Sequence, residues 1–396
     1  MDKNNFKVLT LNNIAASGLN RLKDSGYSVS DEISEPDAII VRSFDLHNYP
    51  MPSSVLAVGR AGSGVNNIPI SHLAGMGIPV FNAPGANANA VKELSIAGIL
   101  IAARNICNAR DYVKELTQED ESLSEAVERG KKKFVGIELP GKTLGVIGLG
   151  AVGVEVANIS LAMGMNVIGF DPGITVKSAW QLSSGVKKTE NLDDLFRQSN
   201  FVTAHVPLID QTKNLINAER LSIMPQGGSI INFARGGIAD DNAVLTSLNE
   251  NHLSAYITDF PEPSLIKHNK VVALPHLGAS TYEAEENCAL MVAENIKDYL
   301  ENGNIRFSVN FPETYIPRLG SHRITIANAN VPNMVGQIST CLAEENLNIE
   351  DLLNKSQGEI AYTIIDVDGP ISANLMNKIK AINGVLSLRN LGEPIS

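Results

Sequence analysis

Short apolar runs alternate with segments of helical periodicity along most of the chain. Each run is bounded by glycine, proline or polar residues, as buried parallel strands usually are. The apolar runs are 7–11, 38–41, 55–58, 144–147, 166–171, 201–205, 228–232, 253–258 and 271–275, and the main helical segments are 89–107, 154–163 and 192–197. This alternation predicts a doubly wound α/β fold, in which ligands bind at the carboxyl ends of the strands.

The pattern changes near residue 321, after a linker marked by Pro312 and Pro317. The elements predicted beyond the linker are strands 323–327 and 360–366 and helices 334–345 and 373–381. They indicate a separate compact α+β module of about 75 residues, which is small for a second catalytic site. We expect this module to serve regulation or oligomerisation.

Composition narrows the class of protein. The chain has 396 residues, 44% of them hydrophobic, and a formal net charge of −11, which argues against nucleic acid or an anionic membrane as a partner. Its three cysteines, Cys107, Cys288 and Cys341, are far apart, so we expect neither disulfides nor a metal site. A secretory leader and long apolar segments are not apparent in the sequence, and we expect a soluble cytoplasmic protein of two or three domains.

A GxGxxG spacing follows the apolar run at 144–147. Gly148, Gly150 and Gly153 lie between that run and a helical segment, as in a dinucleotide-binding turn, where the helix N-terminus faces a pyrophosphate. Asp171 ends the next apolar run, where a carboxylate accepts hydrogen bonds from the ribose. Pro172 follows, with no arginine placed to meet a 2′-phosphate, so NAD is expected rather than NADP. The alternative is a glycine turn that serves packing alone.

A second glycine-rich segment, 59–67, follows the run at 55–58 and contains Arg60. A loop of this kind exposes backbone N–H groups that bind a carboxylate or a phosphate. The alternative is an ordinary glycine turn. A basic cluster at 131–133 precedes the nucleotide segment, and it is either a solvated helix face or the edge of a cleft.

Three residues that suit proton and carboxylate chemistry lie at the ends of later apolar runs. His276 is the natural proton acceptor, a carboxylate such as Glu262 orients an imidazole, and Arg235 clamps a substrate carboxylate. Each also has a structural interpretation, as a rim histidine, an exposed turn residue and a helix-start ion pair. His205 and His252 are not accompanied by comparable residues, and we expect them to be packing or helix-end residues.

These motifs together resemble the D-isomer-specific 2-hydroxyacid dehydrogenases. The segments that carry the resemblance are 148–153 with Asp171, 205–208, 232–237, 259–263 and 275–281. The resemblance implies a Rossmann NAD-binding domain inserted in a flavodoxin-like α/β substrate domain, followed by a C-terminal βαββαβ module of the ACT type. The implied boundaries are 1–100 and 289–318 for the substrate domain, 101–288 for the NAD-binding domain and 319–396 for the C-terminal module.

The resemblance also assigns roles to residues. It makes Arg235, Glu262 and His276 catalytic, although the family's DVFxxEP segment is shortened here to residues 259–263. The implied NAD-binding residues are Gly148, Gly150, Ala151, Val152, Gly153, Asp171, His205, Val206, Pro207, Thr212, Phe233, Ala234, Arg235, Asp259, His276 and Gly278. The implied substrate-binding residues are Arg60, Ala61, Gly62, Ser63, Gly64, Arg235, His276 and Lys131.

Within the family, the segments 59–64 and 82–90 and the C-terminal module are similar to the branch that oxidises a phosphorylated 2-hydroxy acid, 3-phospho-D-glycerate, in the first step of serine synthesis. That branch implies a homo-oligomer, a dimer or a tetramer, and L-serine as an allosteric effector. The effector would be held by Asn328 and Asn330, on the loop after strand 323–327, and by Asn348, just after helix 334–345. In the relatives that serine inhibits, histidine commonly stands at the position of Asn328, and glycine usually stands at the position of Asn333. The alternatives are a dehydrogenase of another D-2-hydroxy acid, such as glycerate or 2-hydroxyglutarate, and a non-catalytic NAD-sensing protein.

Overall fold

The structure is a computed structural model that describes residues 5–116, 122–318 and 322–392. It divides into two compact units, Met1–Asn87 with Tyr282–Ser396 and Ala88–Thr281. Every helix in the described residues is too short or too polar to cross a membrane.

The first unit begins with a parallel α/β sheet. Its elements are β1 (Lys7–Leu11), α1 (Ala16–Lys23), β2 (Ser28–Ser30), β3 (Ala38–Val41), β4 (Ala57–Arg60), α2 (Ile70–Gly75) and β5 (Val80–Phe81). The five strands pair in the order β2-β1-β3-β4-β5, all parallel. This is the flavodoxin-like order, as predicted.

The second unit is the inserted domain. Its helices and strands are α3 (Ala88–Arg104), α4 (Ile106–Glu115), α5 (Leu123–Gly130), β6 (Thr143–Ile147), α6 (Ala151–Ala162), β7 (Asn166–Phe170), α7 (Val176–Gln181), β8 (Lys187–Lys188), α8 (Leu192–Gln198), β9 (Phe201–Ala204), α9 (Ala218–Ser222), β10 (Gly228–Asn232), α10 (Asp241–Asn249), β11 (Leu253–Thr258) and β12 (Val271–Ala273). The parallel strand order is β12-β11-β10-β9-β6-β7-β8. The order reverses between β6 and β9, which is the switch point where a Rossmann fold binds its ligand.

The chain then returns to the first unit through α11 (Tyr282–Asn302). Every fourth residue of this helix, from Ala284 through Cys288, Val292 and Ile296 to Leu300, is buried. This stripe packs against α1 and β4, so α11 completes the core of the N-terminal sheet.

The C-terminal module has the predicted βαββαβ order. Its elements are β13 (His322–Ala329), α12 (Met334–Glu344), β14 (Ile349–Gln357), β15 (Ile360–Val367), α13 (Ala373–Lys380) and β16 (Val385–Gly392). The strands form an antiparallel sheet in the order β14-β15-β13-β16. Both helices contribute to one apolar cluster with the sheet, in which Ile338, Leu342, Leu375 and Ile379 are buried.

The C-terminal module shares a core with the N-terminal sheet instead of forming a separate compact unit. Tyr362 is buried in the same cluster as α11, and its hydroxyl donates to the carbonyl of Gly303 at 2.8 Å. Arg323 is fully buried and makes a bidentate pair with Asp366, at 2.6 and 2.7 Å. Arg323 Nη1 also donates to the Asn302 carbonyl at the end of α11, at 2.9 Å. The module is therefore fixed to the helix that closes the first sheet.

Several predicted boundaries differ from the structure. The predicted helix 89–107 is interrupted after Arg104, because Asn105 adopts a left-handed conformation with φ of 51°. The domain boundaries predicted at 100/101 and 288/289 fall inside α3 and α11. In the structure, the chain passes from one unit to the other at the first residue of each helix. The reason is packing: α3 packs against α6 and β11 of the second unit, and α11 packs against α1 and β4 of the first. The predicted module start at residue 319 lies outside the described residues.

Candidate active site and effector cavity

The turn between β6 and α6 is closed towards the protein and open on one side. Gly148 has φ of +87°, and a β-carbon there would lie 2.7 Å from the carbonyl oxygen of His205. A β-carbon at Gly153 would lie 1.9 Å from the Gly148 carbonyl oxygen, so only glycine lets α6 approach the turn. A β-carbon at Gly150 would meet nothing within 4 Å. The turn therefore leaves room for a group that approaches the backbone at the start of α6, and a pyrophosphate fits that position.

Asp171 follows β7 and faces the same turn. Its Oδ2 accepts the N–H of Leu149 at 2.8 Å, and its Oδ1 accepts the N–H of Gly173 at 2.8 Å. Two carboxylate oxygens offer about four lone-pair sites, so both retain capacity to accept further hydrogen bonds. The geometry suits the ribose-binding role predicted for this residue.

The segment after β9 forms the other wall of the turn. The Nε2 atom of His205 lies 3.0 Å from Thr203 Oγ1, and burial lowers the pKa of this imidazole to about 4. His205 is therefore neutral at pH 7. Thr212 holds the rest of the segment, because its Oγ1 donates to the Pro207 carbonyl at 2.5 Å and accepts the Ile209 N–H at 2.9 Å. The predicted residues 205–212 thus form one fixed loop beside the glycine turn.

Asp259, directly after β11, is fully buried. Its Oδ2 accepts the N–H of Gly278 at 2.9 Å, whereas its Oδ1 has no hydrogen-bond partner among the described residues. Burial raises the pKa of this carboxyl, and the Gly278 N–H, His276 and Arg235 oppose that rise. An unpaired buried acceptor is costly, and the carboxamide N–H of a nicotinamide is a donor that would satisfy it.

His276 is exposed and has a left-handed backbone, with φ of 49°. Its N–H donates to the Asp259 carbonyl at 2.9 Å, and its ring packs on Phe260 with centroids 4.8 Å apart. The structure does not join it to Glu262, whose carboxylate has no hydrogen-bond partner within the described part of the chain. Glu262 instead begins a turn, its carbonyl accepting the Leu265 N–H, and its charge helps burial raise the pKa of Asp241.

Arg235 lies on the loop after β10. Its Nη1 donates to the carbonyl of Ala234 at 2.7 Å. The loop is shaped by the buried side chain of Asn232, whose amide donates to the Arg235 carbonyl at 2.9 Å and accepts the Ala234 N–H at 3.2 Å. Arg235, Asp259 and His276 follow neighbouring strands, and the charges of Arg235 and His276 both act on Asp259.

In the first unit, the glycine loop after β4 is held by its neighbours. Asn82 donates to the Ser63 carbonyl at 2.6 Å, and the Ala83 N–H donates to the Gly62 carbonyl at 3.0 Å. The guanidinium of Arg60 lies against Gly62 of the loop. A β-carbon on Gly62 would lie 1.8 Å from Arg60 Nη1, so glycine leaves the space that this guanidinium occupies. The remaining predicted loop residues, Ala61 and Gly64, lie within the same segment.

Lys131, the remaining predicted substrate-binding residue, lies in a short 3₁₀ turn, Lys131–Phe134, of the second unit. It pairs with Glu128 three residues earlier, and its side chain is exposed. Lys133 lies 5.5 Å from the centre of the Tyr112 ring. These contacts suit a solvated surface better than an anion site.

The C-terminal module contains a cavity of about 170 Å³ at the turn between β13 and α12. Asn328 and Asn330 line it. Asn328 lies inside β13 and not on the loop where the sequence placed it; it is 1% exposed, and its Oδ1 has no partner among the described residues. Asn348 is not among the lining residues: it is exposed, and its N–H donates to Asp368 Oδ1 at 2.9 Å.

Comparisons with known proteins decide the family. The model described as D-isomer specific 2-hydroxyacid dehydrogenase, NAD binding domain, matches residues 96–278. A D-3-phosphoglycerate dehydrogenase of Methanocaldococcus jannaschii is 33% identical, over 91% of this chain and 68% of the relative. A D-3-phosphoglycerate dehydrogenase of Haemophilus influenzae is 30% identical, over 99% of this chain and 98% of its own.

The chain belongs to the D-isomer-specific 2-hydroxyacid dehydrogenases. A solved structure supports the same family: NAD⁺-bound 3-phosphoglycerate dehydrogenase of Entamoeba histolytica has a TM-score of 0.60 at 26% identity, covering 77% of this chain and 98% of that one. D-2-hydroxyisocaproate dehydrogenase, at 22% identity and a TM-score of 0.64, shares the fold. The protein is thus an NAD-dependent oxidoreductase, and the predicted cofactor is confirmed.

Three residues of interest in this dehydrogenase are absent from the predicted site. Arg42 directly follows β3, just as Arg60 ends β4, so its position at a strand end was a readable signal. Asn232 is the last residue of the apolar run at 228–232, and a polar amide at the end of such a run was a signal that the sequence offered. Asn354 lines the C-terminal cavity from β14, a strand too polar to be recognised from its sequence pattern.

Proposed function

We propose that this dehydrogenase oxidises the C2 hydroxyl of 3-phospho-D-glycerate with NAD⁺ to give 3-phosphohydroxypyruvate. The observation that carries the proposal is the similarity to D-3-phosphoglycerate dehydrogenases over 99% of the chain, the C-terminal module included. Two further features support a phosphorylated substrate: a glycine loop with Arg60 in the first unit, and the neighbouring Arg42.

In the proposed reaction, NAD⁺ supplies the acceptor for the hydride that leaves C2. His276 accepts the proton of the C2 hydroxyl at its imidazole, because an imidazole exchanges protons near neutral pH. Asp259 is the carboxylate whose charge interacts with His276 here, and it would stabilise the imidazolium. Glu262 has the predicted orienting role only if it moves from its present position towards His276.

Arg235 would bind the substrate carboxylate through two parallel N–H bonds and polarise the adjacent C2 oxygen. Asn232 fixes the backbone on both sides of this arginine, so it positions the guanidinium. Arg60 and its loop would take the phosphate. In each case the anion meets an arginine carried at the end of a parallel strand.

A substrate panel read by NADH absorbance tests the proposal. We expect 3-phospho-D-glycerate to give a kcat/KM at least tenfold above that of D-glycerate or D-2-hydroxyglutarate, since a charged hydrogen bond to a phosphate contributes about 1.5–3 kcal/mol. Equal kcat/KM for D-glycerate would contradict the phosphate assignment. NADH binding without turnover of any 2-hydroxy acid would favour the NAD-sensing alternative.

L-serine is the effector that we propose for the C-terminal cavity. The orphan Oδ1 of Asn328 is an acceptor for an ammonium group, and the amide of Asn330 offers both donor and acceptor. Titrating L-serine against the initial rate, in the wild type and in Asn354→Ala and Asn348→Ala, separates two positions for the site. Loss of inhibition in Asn354→Ala alone would support the cavity; loss in Asn348→Ala alone would place the site elsewhere, and an uninhibited wild type would contradict the effector.

Assembly as a homo-oligomer is the remaining part of the proposal. Apolar side chains are exposed on the second unit at Ile106, Val113, Val135 and Ile137. Exposed apolar side chains often belong to interfaces when they form one patch, and we propose that a second copy of the chain covers these four. Light scattering after size exclusion should give a mass of two or four chains; a monomer at micromolar concentration would contradict this.

A further inference from the structure

Two arginines follow neighbouring parallel strands of the first unit. Val41, the last residue of β3, pairs with Arg60 of β4, so Arg42 continues from the same edge of the sheet. Arg60 Nε donates to the Arg42 carbonyl at 3.0 Å, which ties the two residues together. The carboxyl ends of parallel strands are where α/β sheets bind ligands.

A carboxylate of this chain already occupies part of that cationic site. Glu285, in the first turn of α11, places Oε1 2.7 Å from Arg42 Nη2. The two side chains are 36% and 37% exposed, so the pair is open to solvent and to ligands. The thiol of Cys288, one turn later on the same helix, is buried near Arg42, Arg60 and Glu285. Burial raises the pKa of its thiol, Arg60 and Arg42 lower it, and Glu285 raises it, so all three charges lie near enough to act on one buried sulfur.

We infer that Glu285 is a built-in counter-anion of the Arg42–Arg60 pair, which the phosphate of the substrate must displace and which thereby sets the affinity for that phosphate. The inference rests on the proposed function for the identity of the anion. Glu285 weakens phosphate binding in two ways, because it occupies a guanidinium N–H and because its negative charge repels a dianion. Glu285 acts through Arg42. It determines specificity for the phosphate and takes no part in hydride or proton transfer.

Glu285→Gln tests the inference, because it removes the charge and keeps the length and polarity of the side chain. KM for 3-phospho-D-glycerate should fall about two- to fivefold, the range of a solvent-exposed ion pair, while kcat stays within about twofold. The decrease should shrink in high salt, since the charges are partly exposed. Glu286→Gln is the matched control: it removes the same charge from the adjacent, exposed position of α11 and should leave KM unchanged.

The same substitution in an Arg42→Gln background shows whether Glu285 acts through Arg42. Glu285→Gln should then change KM by less than about 1.5-fold, because the cation that Glu285 occupies is gone. An equal decrease in both backgrounds, an unchanged KM in the single variant, or a KM that rises would each overturn the inference. A rise would mean that Glu285 holds Arg42 in place for the substrate.

A binding measurement with inorganic phosphate does not depend on turnover. Phosphate should raise the melting temperature of the wild type, and a rise of the same size should require a lower phosphate concentration in Glu285→Gln but not in Glu286→Gln. If 3-phospho-D-glycerate is not oxidised and this difference persists, the proposed function fails and the anion site stands. If turnover is normal and the difference is absent, the inference fails alone.

Discussion

The binding sites proposed for this protein include two strand–turn–helix segments that are built by opposite means. Between β6 and α6 the turn is built from glycines, and its open face is backbone. Between β13 and α12 the turn carries Asn330 and Asn333, and its cavity is lined by four asparagines together with apolar residues. A pyrophosphate needs close N–H groups and a helix end, so side chains must be absent. A zwitterion needs donors and acceptors in one place, so side chains must be present.

The two turns also differ in how they obtain a left-handed residue. Gly148 adopts φ of +87° without cost, whereas Asn333 adopts φ of +65° at the position before α12. Asparagine is one of the few side chains that tolerate this region. The comparison predicts that the glycine turn is rigid and intolerant of substitution, and that the asparagine turn is adjustable.

The largest expected effect separates chemistry from the glycine turn. His276→Gln should lower kcat by roughly 10²- to 10⁴-fold, because the variant keeps the size of the ring but cannot accept the substrate proton. Affinity for NADH, measured by fluorescence quenching, should change by less than about threefold, since the glycine turn and Asp171 are untouched. A large loss of NADH affinity would mean that His276 belongs to the cofactor site as much as to the reaction.

A pair of glycine-to-alanine substitutions tests the contrast in rigidity. Gly153→Ala puts a methyl group 1.9 Å from a backbone oxygen, so α6 must shift; we expect a loss of about 1–3 kcal/mol in the free energy of unfolding and weaker NADH binding. In Gly336→Ala, in the first turn of α12, the added methyl group meets the Asn333 side chain, with Oδ1 at 2.2 Å and Cγ at 3.3 Å, and that side chain can rotate away. Equal losses in urea unfolding would remove the distinction between the two turns.

Cofactor choice provides a third test, confined to the glycine turn. Asp171→Ala should weaken NADH binding and bring the affinity for NADPH closer to that for NADH by about tenfold, because the carboxylate both accepts from the ribose and repels a 2′-phosphate. The carboxylate also accepts the Leu149 and Gly173 N–H groups, so the variant loses two turn contacts. Asp171→Asn retains an acceptor and distinguishes loss of charge from loss of structure. An unchanged NADPH to NADH ratio in both variants would contradict the assignment.

The sequence predicted the geometry of the first turn well and that of the second poorly, for a physical reason. A glycine spacing specifies backbone geometry directly, so residues 148–153 and Asp171 could be placed before the fold was known. The cavity depends on which strand positions face inwards. Asn328 was expected on a loop but lies within β13, and Asn354 comes from a strand whose polar side chains show no apolar alternation. The pairing of Glu262 with His276 stays a prediction, because no hydrogen bond joins the two side chains among the described residues.

Acid stability should distinguish the two regions as well. The pKa of His205, about 4, lies below the usual histidine value of 6.5, so the unfolded chain takes up a proton that the folded chain refuses. This contribution to stability is complete above pH 6.5 and is lost as the pH falls towards 4. His205→Asn should therefore reduce the dependence of the melting temperature on pH between 6.5 and 4. His72→Asn, at an exposed position of α2, should leave that dependence unchanged. The residues that line the C-terminal cavity do not titrate there.

The smallest expected effect concerns Asn333 alone. A residue with a β-carbon is destabilised by roughly 1–2 kcal/mol in the left-handed conformation that Asn333 adopts. Asparagine recovers part of that free energy because its short polar side chain can form local hydrogen bonds. Asn333→Ala should lower the free energy of unfolding by about 1 kcal/mol in urea titrations. Asn333→Gly should stay within about 0.5 kcal/mol of the wild type, because glycine removes the local strain but adds freedom to the unfolded chain. If alanine were as stable as glycine, the turn would not need a left-handed residue, and the resemblance between the two turns would end at their strand–turn–helix order.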